Sequence, residues 1–385
     1  MADIIYLDNA ATTFPKPKEV LDLMVSRYAG LGVSPGRGSY DLALEAEGIV
    51  DDARKELCKF FGGNDPARVI FAYNATDALN TLIQGLARPG SHVVSSRLEH
   101  NSVLRPLHAL RERERISYDL VPFDGTGFIN PDDVFRAIKP ETSFVILTHA
   151  SNVLGTVQPA KELGNVCRGK GVPLILDATQ SAGLIPIDME AWGVSAIAFT
   201  GHKSLLGPTG IGGLVLSKNL DVPATRFGGT GLNSGSLVHS QEYPQRLEAG
   251  TINILGVMGL SASLEYLRRN GMDRLYAKEI ILAERLRQGL LKVPRVRLYG
   301  PESMENRTPL LLMNLEGLEP EAVANILDGD YSIAVRAGVH CAPLAHQDLG
   351  TAPKGAVRFS LGPFNTADHI DRTLEAIREI AQSQS

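Results

Sequence analysis

A chain of 385 residues, 44% hydrophobic and 21% charged with a net charge of −5, exceeds what one hydrophobic core usually serves, so two domains are expected. The acidic balance and the lack of an extended Lys/Arg run leave no footprint for nucleic acid, and no stretch of about 18 apolar residues offers a membrane span. Three cysteines without paired spacing give neither a disulfide framework nor a zinc cluster, and Met1-Ala2-Asp3 passes straight into a strand-like run rather than a basic, apolar leader, so a cytoplasmic protein is expected.

From Ile4 to Thr13 the chain reads as a short strand running into a small-residue turn, where a backbone can approach something closely. A helix follows from about Lys18 to Tyr28. Gly30 to Gly38 is too glycine-rich for an interior element and reads as a loop; Arg37 within it binds an anion or faces solvent, and taken alone it reads as solvent-facing. Asp51 to Phe61 carries apolar residues at helical spacing, which gives Cys58 a packing role.

Strand, turn and helix then repeat. Val69 to Ala72 ends at Tyr73-Asn74-Ala75-Thr76-Asp77, ahead of a helix from Ala78 to Leu86. A strand, a small-residue turn and a helix start make an anion site, because free N–H groups and the helix dipole converge there, and Thr76 adds a hydroxyl. Neither the Walker pattern nor the full dinucleotide fingerprint is present, and read by itself the turn is equally a helix cap. His92 to Ser95 is the next strand, with His100 at its junction to a helix ending near Leu110; that imidazole stacks on a planar ring, works as an acid or base, or simply caps. A strand from Ile116 to Val121, a helix from Pro131 to Ile138 and a strand from Phe144 to Thr148 follow, the last leading to Asn152. The helix from Lys161 to Arg168 buries Cys167 as the earlier one buries Cys58.

Leu174-Ile175-Leu176 ends in Asp177, with Gln180 three residues on, and the run from Ala196 to Phe199 ends in Thr200-Gly201-His202-Lys203 before a glycine-rich turn and a second apolar strand, Leu214 to Leu216. Such alternation predicts an α/β protein with a mainly parallel, doubly wound sheet. Ligands bind at the carboxyl ends of such strands, so Asn152, Asp177 and Lys203 should converge along one edge. A lysine becomes a useful amine only when desolvated or set near other cations, since its ordinary pKa is about 10.4. An acid that keeps a pyridine ring protonated and a lysine that forms a Schiff base are what pyridoxal phosphate needs to act as an electron sink, and Asp177 and Lys203 supply both. Singly, the aspartate could cap a helix or hold magnesium and the lysine could face solvent; the pairing argues for the cofactor.

The segment from Phe227 to Gly231 is glycine-rich again, and a long helix runs from about Ile254 to Arg269. There a large domain of residues 15–255 is expected to give way to a smaller α+β unit of residues 1–14 and 256–385. The latter holds helices from Leu275 to Leu290, Pro320 to Asp328 and Ala367 to Ala381, with strands near Val296 to Leu298, Leu310 to Asn314, Ile333 to Arg336 and Ala356 to Ser360. Cys341 lies outside any apolar run, flanked by His340, near Arg336, and preceded by Gly338 in a tight loop; such neighbours favour a thiolate. Arg358 sits inside an apolar strand, where a charge is costly unless paired, and its fork suits a substrate carboxylate or an internal salt bridge.

Read together, Leu7-Asp8-Asn9-Ala10-Ala11-Thr12, Glu99-His100, Asn152-Val153-Leu154-Gly155-Thr156, Asp177-Ala178-Thr179-Gln180, Gly201-His202-Lys203, Arg336-Ala337-Gly338-Val339-His340-Cys341-Ala342 and Arg358-Phe359-Ser360 resemble the class V aminotransferases of aspartate-aminotransferase-like fold (fold type I). Within that family the chain looks like the cysteine desulfurases with a short Arg-x-Gly-x-His-Cys motif. The resemblance implies that Lys203 holds pyridoxal phosphate and shuttles protons, Asp177 pairs with the pyridine nitrogen, Gln180 contacts the ring oxygen and His100 stacks on the ring. It implies that Thr76, Thr200, His202 and the backbone at Ala75 hold the phosphate. Arg358, with Asn152, Arg336 and Arg37, would bind the substrate, L-cysteine or L-selenocysteine. Cys341 would take the sulfur as a persulfide, alanine would leave, and an acceptor protein would receive the sulfur. Thr251 matches the residue that reaches the partner subunit's cofactor, which implies a homodimer. Two positions depart from the pattern: Gly36 stands where a histidine precedes the arginine, and Ala75-Thr76 stands where the family has two threonines. A selenocysteine lyase would show nearly the same residues, a cysteine or cystine C–S lyase would leave Cys341 dispensable, and a non-catalytic sulfur-transfer scaffold would have no use for Lys203 and Asp177.

Overall fold

Consecutive apolar residues such as Phe144-Val145-Ile146-Leu147 present hydrocarbon on both faces of a strand, so both faces need cover. The computed structural model describes residues 4–36, 38–231 and 235–383; the expectation for Arg37 lies outside the described residues. Its strands are β1 (Ile5–Tyr6), β2 (Val69–Ala72), β3 (Ser91–Ser96), β4 (Ile116–Val121), β5 (Thr142–Thr148), β6 (Leu174–Asp177), β7 (Ala196–Thr200) and β8 (Gly212–Leu216), followed by β9 (Val296–Tyr299), β10 (Leu310–Leu315), β11 (Ile333–Ala334), β12 (Arg336–Gly338) and β13 (Ala356–Ser360).

A seven-stranded sheet runs in the order β2-β8-β7-β6-β5-β3-β4, with β8 antiparallel to both its neighbours and the other pairs parallel. Side-chain alternation along its strands divides the cover in two. Val145, Leu147, Leu174, Leu176, Ile197 and Phe199 pack on one face with the helices Asp41–Phe60, Ala160–Lys170 and Ile254–Asn270. Phe144, Ile146, Ile175, Ala196, Ala198 and Leu214 pack on the other with Ala75–Leu86 and Asn101–Glu112. That is the expected doubly wound arrangement. Thr148 stands opposite Asp177 in the β5–β6 register, and Asp177 opposite Ala198, so the carboxyl ends of β5, β6 and β7 lie side by side.

A second core joins Ile5 and Leu7 to Met313, Val357, Phe359, Ile370, Leu374 and Ile377. It lies against the antiparallel sheet β12-β13-β10-β9 and the two-stranded β1-β11, with helices Met272–Leu290, Pro320–Tyr331 and Ala367–Ser383. Ile254–Asn270 buries Val257, Met258, Leu260 and Leu267 in the first core, so residues 256–270 pack with the large sheet rather than with this smaller unit.

Some elements differ from the sequence expectation, each for a local reason. The helix expected from Ala78 begins at Ala75, because Asn74 accepts from Asp77 N at 3.0 Å and caps it three residues earlier. The single strand expected from Ile333 to Arg336 is two: β11 pairs in parallel with β1, and β12 pairs antiparallel with β13, so the chain changes sheets at Val335. Short helices at Met189–Trp192 and Pro343–Asp348 carry too few residues for a periodic signal. No helix among the described residues is long and apolar enough to cross a membrane.

Candidate active site

Three strand ends and two helix starts enclose a cavity of about 180 Å³. Ala75, Thr76, His100, Asn152, Asp177, Gln180, Thr200, His202 and Lys203 all line it. Thr251 does not; it lies in a separate cleft with Asp77, Arg226 and Asn253. A larger cleft of about 280 Å³ holds Arg54 and Glu248, but those charges already satisfy each other through two bonds of 2.8 and 2.7 Å.

Asp177 ends β6 and is buried. Its Oδ1 accepts from Thr179 N at 2.9 Å and from the Thr179 hydroxyl, a turn that a short polar side chain two residues on makes naturally. Among the described residues no donor reaches Oδ2, so one carboxylate oxygen is fixed and the other is left for a partner in the cavity. The Asp-x-Thr spacing of Asp177 and Thr179 is the sequence signal for this role.

Lys203 follows β7. Burial first, then the nearby Arg358 guanidinium, lower its amine from 10.5 to about 8, against opposing pulls from Asp177 and Asp8. Its backbone is held from two sides. The carbonyl of His202 accepts from Thr13 N at 3.1 Å, Thr12 Oγ1 at 3.0 Å and Lys16 Nζ. On the other side Gly183, at φ +91°, packs so closely that a Cβ there would stand 2.3 Å from the carbonyl oxygen of Ser204. Burial also brings Lys16 down to about 8 and His202 down to about 4, the latter with help from Lys203 and Lys16.

His100 resolves its alternatives by doing two things. Its Nδ1 accepts from Ser102 N at 3.0 Å, capping the helix Asn101–Glu112, while its ring lines the cavity. Burial holds it near 4, Lys203 adding to that push and Asp177 resisting it, so the ring is neutral with its proton on Nε2. Beside it, Glu99 is fully buried: Oε1 accepts from Ser96 Oγ at 2.6 Å and Thr148 N at 3.0 Å, Oε2 has no partner among the described residues, and burial lifts the carboxyl to about 8.

The helix start and the end of β7 present unpartnered polar groups that suit an anion. Among the described residues, the N–H groups of Ala75 and Thr76, ahead of the Asp77 N that Asn74 caps, have no acceptor, and two buried polar atoms of cavity-lining residues, Thr200 Oγ1 and His202 Nδ1, have no partner. An anion at one end, a flat ring against His100 and a protonated ring nitrogen at Asp177 Oδ2 would satisfy these groups, so the residues present fit pyridoxal phosphate. Gln180 joins the wall with its Nε2 donating to Ala10 O at 3.0 Å.

The smaller unit contributes the rest. Arg358 on β13 faces Arg336 on β12 in register. It is 1% exposed, donates from Nη2 to Asp8 Oδ1 at 2.7 Å and from Nη1 to Asn152 O at 3.0 Å, and its Nε has no partner among the described residues. Of its two sequence readings the salt bridge is therefore present, with a partner 350 residues away that no local pattern announces. Cys341 caps a turn in which His340 and Cys341 both have positive φ. The turn hangs from the cavity wall: Asn152 Nδ2 donates to His340 O at 2.6 Å, and Asn101 N donates to Cys341 O at 2.7 Å. Arg336 Nη2 stands 3.8 Å from Cys341 Sγ. Cys58 and Cys167 are buried, as their helical spacing predicts, and burial lifts both thiols, Cys167 to about 12.

Residues 5–373 match the family model described as aminotransferase class-V. A probable cysteine desulfurase of Methanothermobacter thermautotrophicus is 35% identical, over 99% of this chain and 96% of its own. The apo structure of a cysteine desulfurase from Thermococcus onnurineus superimposes with a TM-score of 0.93 at 32% identity, covering 99% of this chain and 95% of that one. The Escherichia coli cysteine desulfurase CsdA, solved with an S-sulfonic acid, gives 0.87 at 26% identity, again over 99% and 95%. The mainly parallel sheet is thus the fold type I sheet of those structures, and with nearly its whole length inside the family model, the chain belongs to the class-V aminotransferase family.

Proposed function

We propose that this protein is a pyridoxal-phosphate-dependent cysteine desulfurase that converts L-cysteine to L-alanine and carries the sulfur away on Cys341. The observation that carries this reading is the shared wall: the turn bearing Cys341 is bonded to Asn152 and to the helix that His100 caps, and both of those residues line the cavity of Lys203 and Asp177. A thiol fastened to a lysine-and-aspartate cavity serves sulfur acceptance better than elimination, which has no use for it.

Thr76, Thr200, His202 and the N–H groups at Ala75 would hold the cofactor's phosphate, Asp177 its ring nitrogen, Gln180 its ring oxygen and His100 its face. When bound, the cofactor supplies an electron sink that makes the substrate Cα–H acidic and its sulfur open to attack. Lys203 Nζ, lowered to about 8, is the base that takes the Cα proton and returns it. Arg358 and Arg336 on adjacent strands supply cations for the substrate carboxylate, with Asp8 holding the Arg358 fork in readiness. Asn152 braces that fork through its carbonyl. Cys341 Sγ, with Arg336 Nη2 3.8 Å away, attacks the substrate sulfur: an S–S bond forms, the Cβ–S bond breaks, and its electron pair passes to the product carbon, which gains a proton. L-cysteine and the Cys341 thiol thus become L-alanine and a Cys341 persulfide.

The same proposal includes a homodimer, since Thr251 faces a cleft away from its own cavity, and Phe227, at 75% exposure, and Val238, also at 75%, leave hydrocarbon for a second copy to cover. It includes a cytoplasmic location, an acceptor protein that takes the persulfide sulfur, and L-selenocysteine as a second substrate. A two-part chain belongs to it too: the separate core around Ile5, Leu7 and Phe359 supports a smaller unit, and the packing of Ile254–Asn270 in the first core supports a break beyond Asn270 in place of the expected one at 255. The test is product analysis on cofactor-loaded protein given L-cysteine. Alanine in step with a persulfide mapped to Cys341, and lost in Cys341→Ala with the cofactor still bound, is expected; pyruvate and sulfide released equally by Cys341→Ala would overturn the proposal in favour of a lyase.

A further inference from the structure

Beneath the Cys341 turn lies a buried pair of imidazoles that the chemistry above does not use. The turn sets His340 at φ 49° and Cys341 at φ 58°, two consecutive non-glycine residues in the left-handed region, so it persists only with support from its surroundings. Part of that support comes from His346, which is 0% exposed on the short helix Pro343–Asp348 and meets His340, itself 2% exposed, edge to edge, with ring centroids 5.4 Å apart.

Hydrogen accounting assigns the tautomers. His340 Nε2 lies 3.2 Å from Arg336 O, which can only accept, so Nε2 carries the proton. In a neutral ring Nδ1 then accepts, and its neighbour at 3.2 Å, His346 Nε2, must donate. His346 Nδ1 is left to accept from Thr351 Oγ1 at 2.7 Å, the shorter of that hydroxyl's two contacts, the other being the His346 carbonyl at 3.2 Å, which backbone N–H groups of Thr351 and Ala352 already satisfy. The run from Thr351 through His346 and His340 to the Arg336 carbonyl therefore has one self-consistent direction. Burial, with the Arg358 guanidinium next, holds His346 near 4 and His340 near 2, so both rings are neutral in ordinary solution and that direction is kept.

We infer that His346 is a positioning residue for the sulfur-accepting step: its Nε2–H fixes the ring of His340, that ring holds the backbone of Arg336, and Cys341 and the Arg336 fork beside its sulfur are thereby kept in place. The inference rests on the cysteine desulfurase reading for its kinetic consequence but not for its geometric one. His346 touches neither the cavity nor the reacting atoms, and acts only through His340.

Two variants separate orientation from packing. His346→Gln keeps a side-chain N–H for His340 Nδ1; His346→Leu keeps bulk and loses the donor. In the holoenzyme, His346→Leu is expected to lower kcat for alanine formation about tenfold with KM for L-cysteine unchanged, as one lost buried hydrogen bond dictates, while His346→Gln stays within about threefold of wild type. Alkylation of Cys341 by iodoacetamide, mapped by mass spectrometry at neutral pH, should slow in the Leu variant and recover in the Gln variant. Wild-type kcat and alkylation in His346→Leu, or equal losses in both variants accompanied by equal losses of thermal stability, would overturn the inference. Pyruvate in place of alanine in wild type would sink the desulfurase reading alone, because the alkylation comparison still reports on the turn.

Discussion

The amine of Lys203 has to be a free base for any of the proposed chemistry, and its surroundings predict how often it is one. At about 8 it is deprotonated in about one molecule in eleven at pH 7; an ordinary lysine at 10.5 manages about one in three thousand, so the site raises the reactive fraction about 300-fold. Burial is the larger cause and the Arg358 cation the next, while Asp177 and Asp8 pull the other way. Arg358→Gln removes the cation and also releases Asp8, 2.7 Å away in wild type, from its ion pair, so both changes push the amine back up. The assay mixes apo-protein with pyridoxal phosphate over a pH series and follows covalent attachment to Nζ by absorbance, with a simple alkylamine as control for the cofactor's own titration. Attachment should reach half its limiting rate near pH 8 in wild type, and in Arg358→Gln the curve should move up by about one pH unit, with about tenfold slower attachment at pH 7. Overlapping curves would refute the role of the Arg358 charge. A wild-type half-point above about pH 10, the range of an ordinary lysine, would refute the desolvation argument itself.

Three further outcomes follow from the structure. Gly183→Ala drives a methyl against the carbonyl of Ser204, so the variant should bind cofactor with less than about a tenth of wild-type affinity while its far-ultraviolet circular dichroism is unchanged; normal affinity would mean the Lys203 turn tolerates displacement. Glu99 keeps a proton in the folded protein up to about 8, whereas in the unfolded chain it is released near 4.5; the unfolded state therefore binds fewer protons between those values, and this group's contribution to stability declines as pH rises through that window. Glu99→Gln cannot titrate, so wild-type stability relative to the variant should fall from pH 5 to pH 8, and a constant difference would count against a neutral Glu99. Glu248→Ala strips the carboxylate from Arg54, which is 6% exposed, and should cost about 3–5 kcal/mol in urea unfolding; a loss below about 1 kcal/mol would show the guanidinium reaching water.

The residues readable from sequence share one property: each announces itself within a few positions. Asp177, Thr200 and Lys203 end or follow apolar runs, and a parallel sheet brings such ends together whatever the loops do. His100 and Thr76 mark strand-to-helix junctions for the same reason. Asp8 has no local cue, because its meaning comes from Arg358 at the other end of the chain. His346 looks like any polar residue of a short helix, and only the fold sets it under His340. The split between β11 and β12 was hidden because an unbroken extended run does not say that two different sheets claim its halves.

The N-terminal segment ties these parts together: β1 pairs with β11, Asn9 N bonds Ser360 O, Asp8 holds Arg358, and Thr12, Thr13 and Lys16 converge on the carbonyl of His202. During synthesis this segment is made before all of those partners. The seven-stranded sheet is complete in sequence by Leu216 and can begin to close while translation continues, but the contacts of residues 5–16 with residues 333–360 span most of the chain and form slowly. A product terminated before Ala356 would contain Lys203 and Asp177 but lack the guanidinium of Arg358, and it would leave Ile5 and Leu7 without the apolar cover of Val357 and Phe359. The order of manufacture therefore keeps the lysine site unfinished until β13 is present, and leaves chains lacking it with exposed hydrocarbon of the kind that chaperones and proteases recognise.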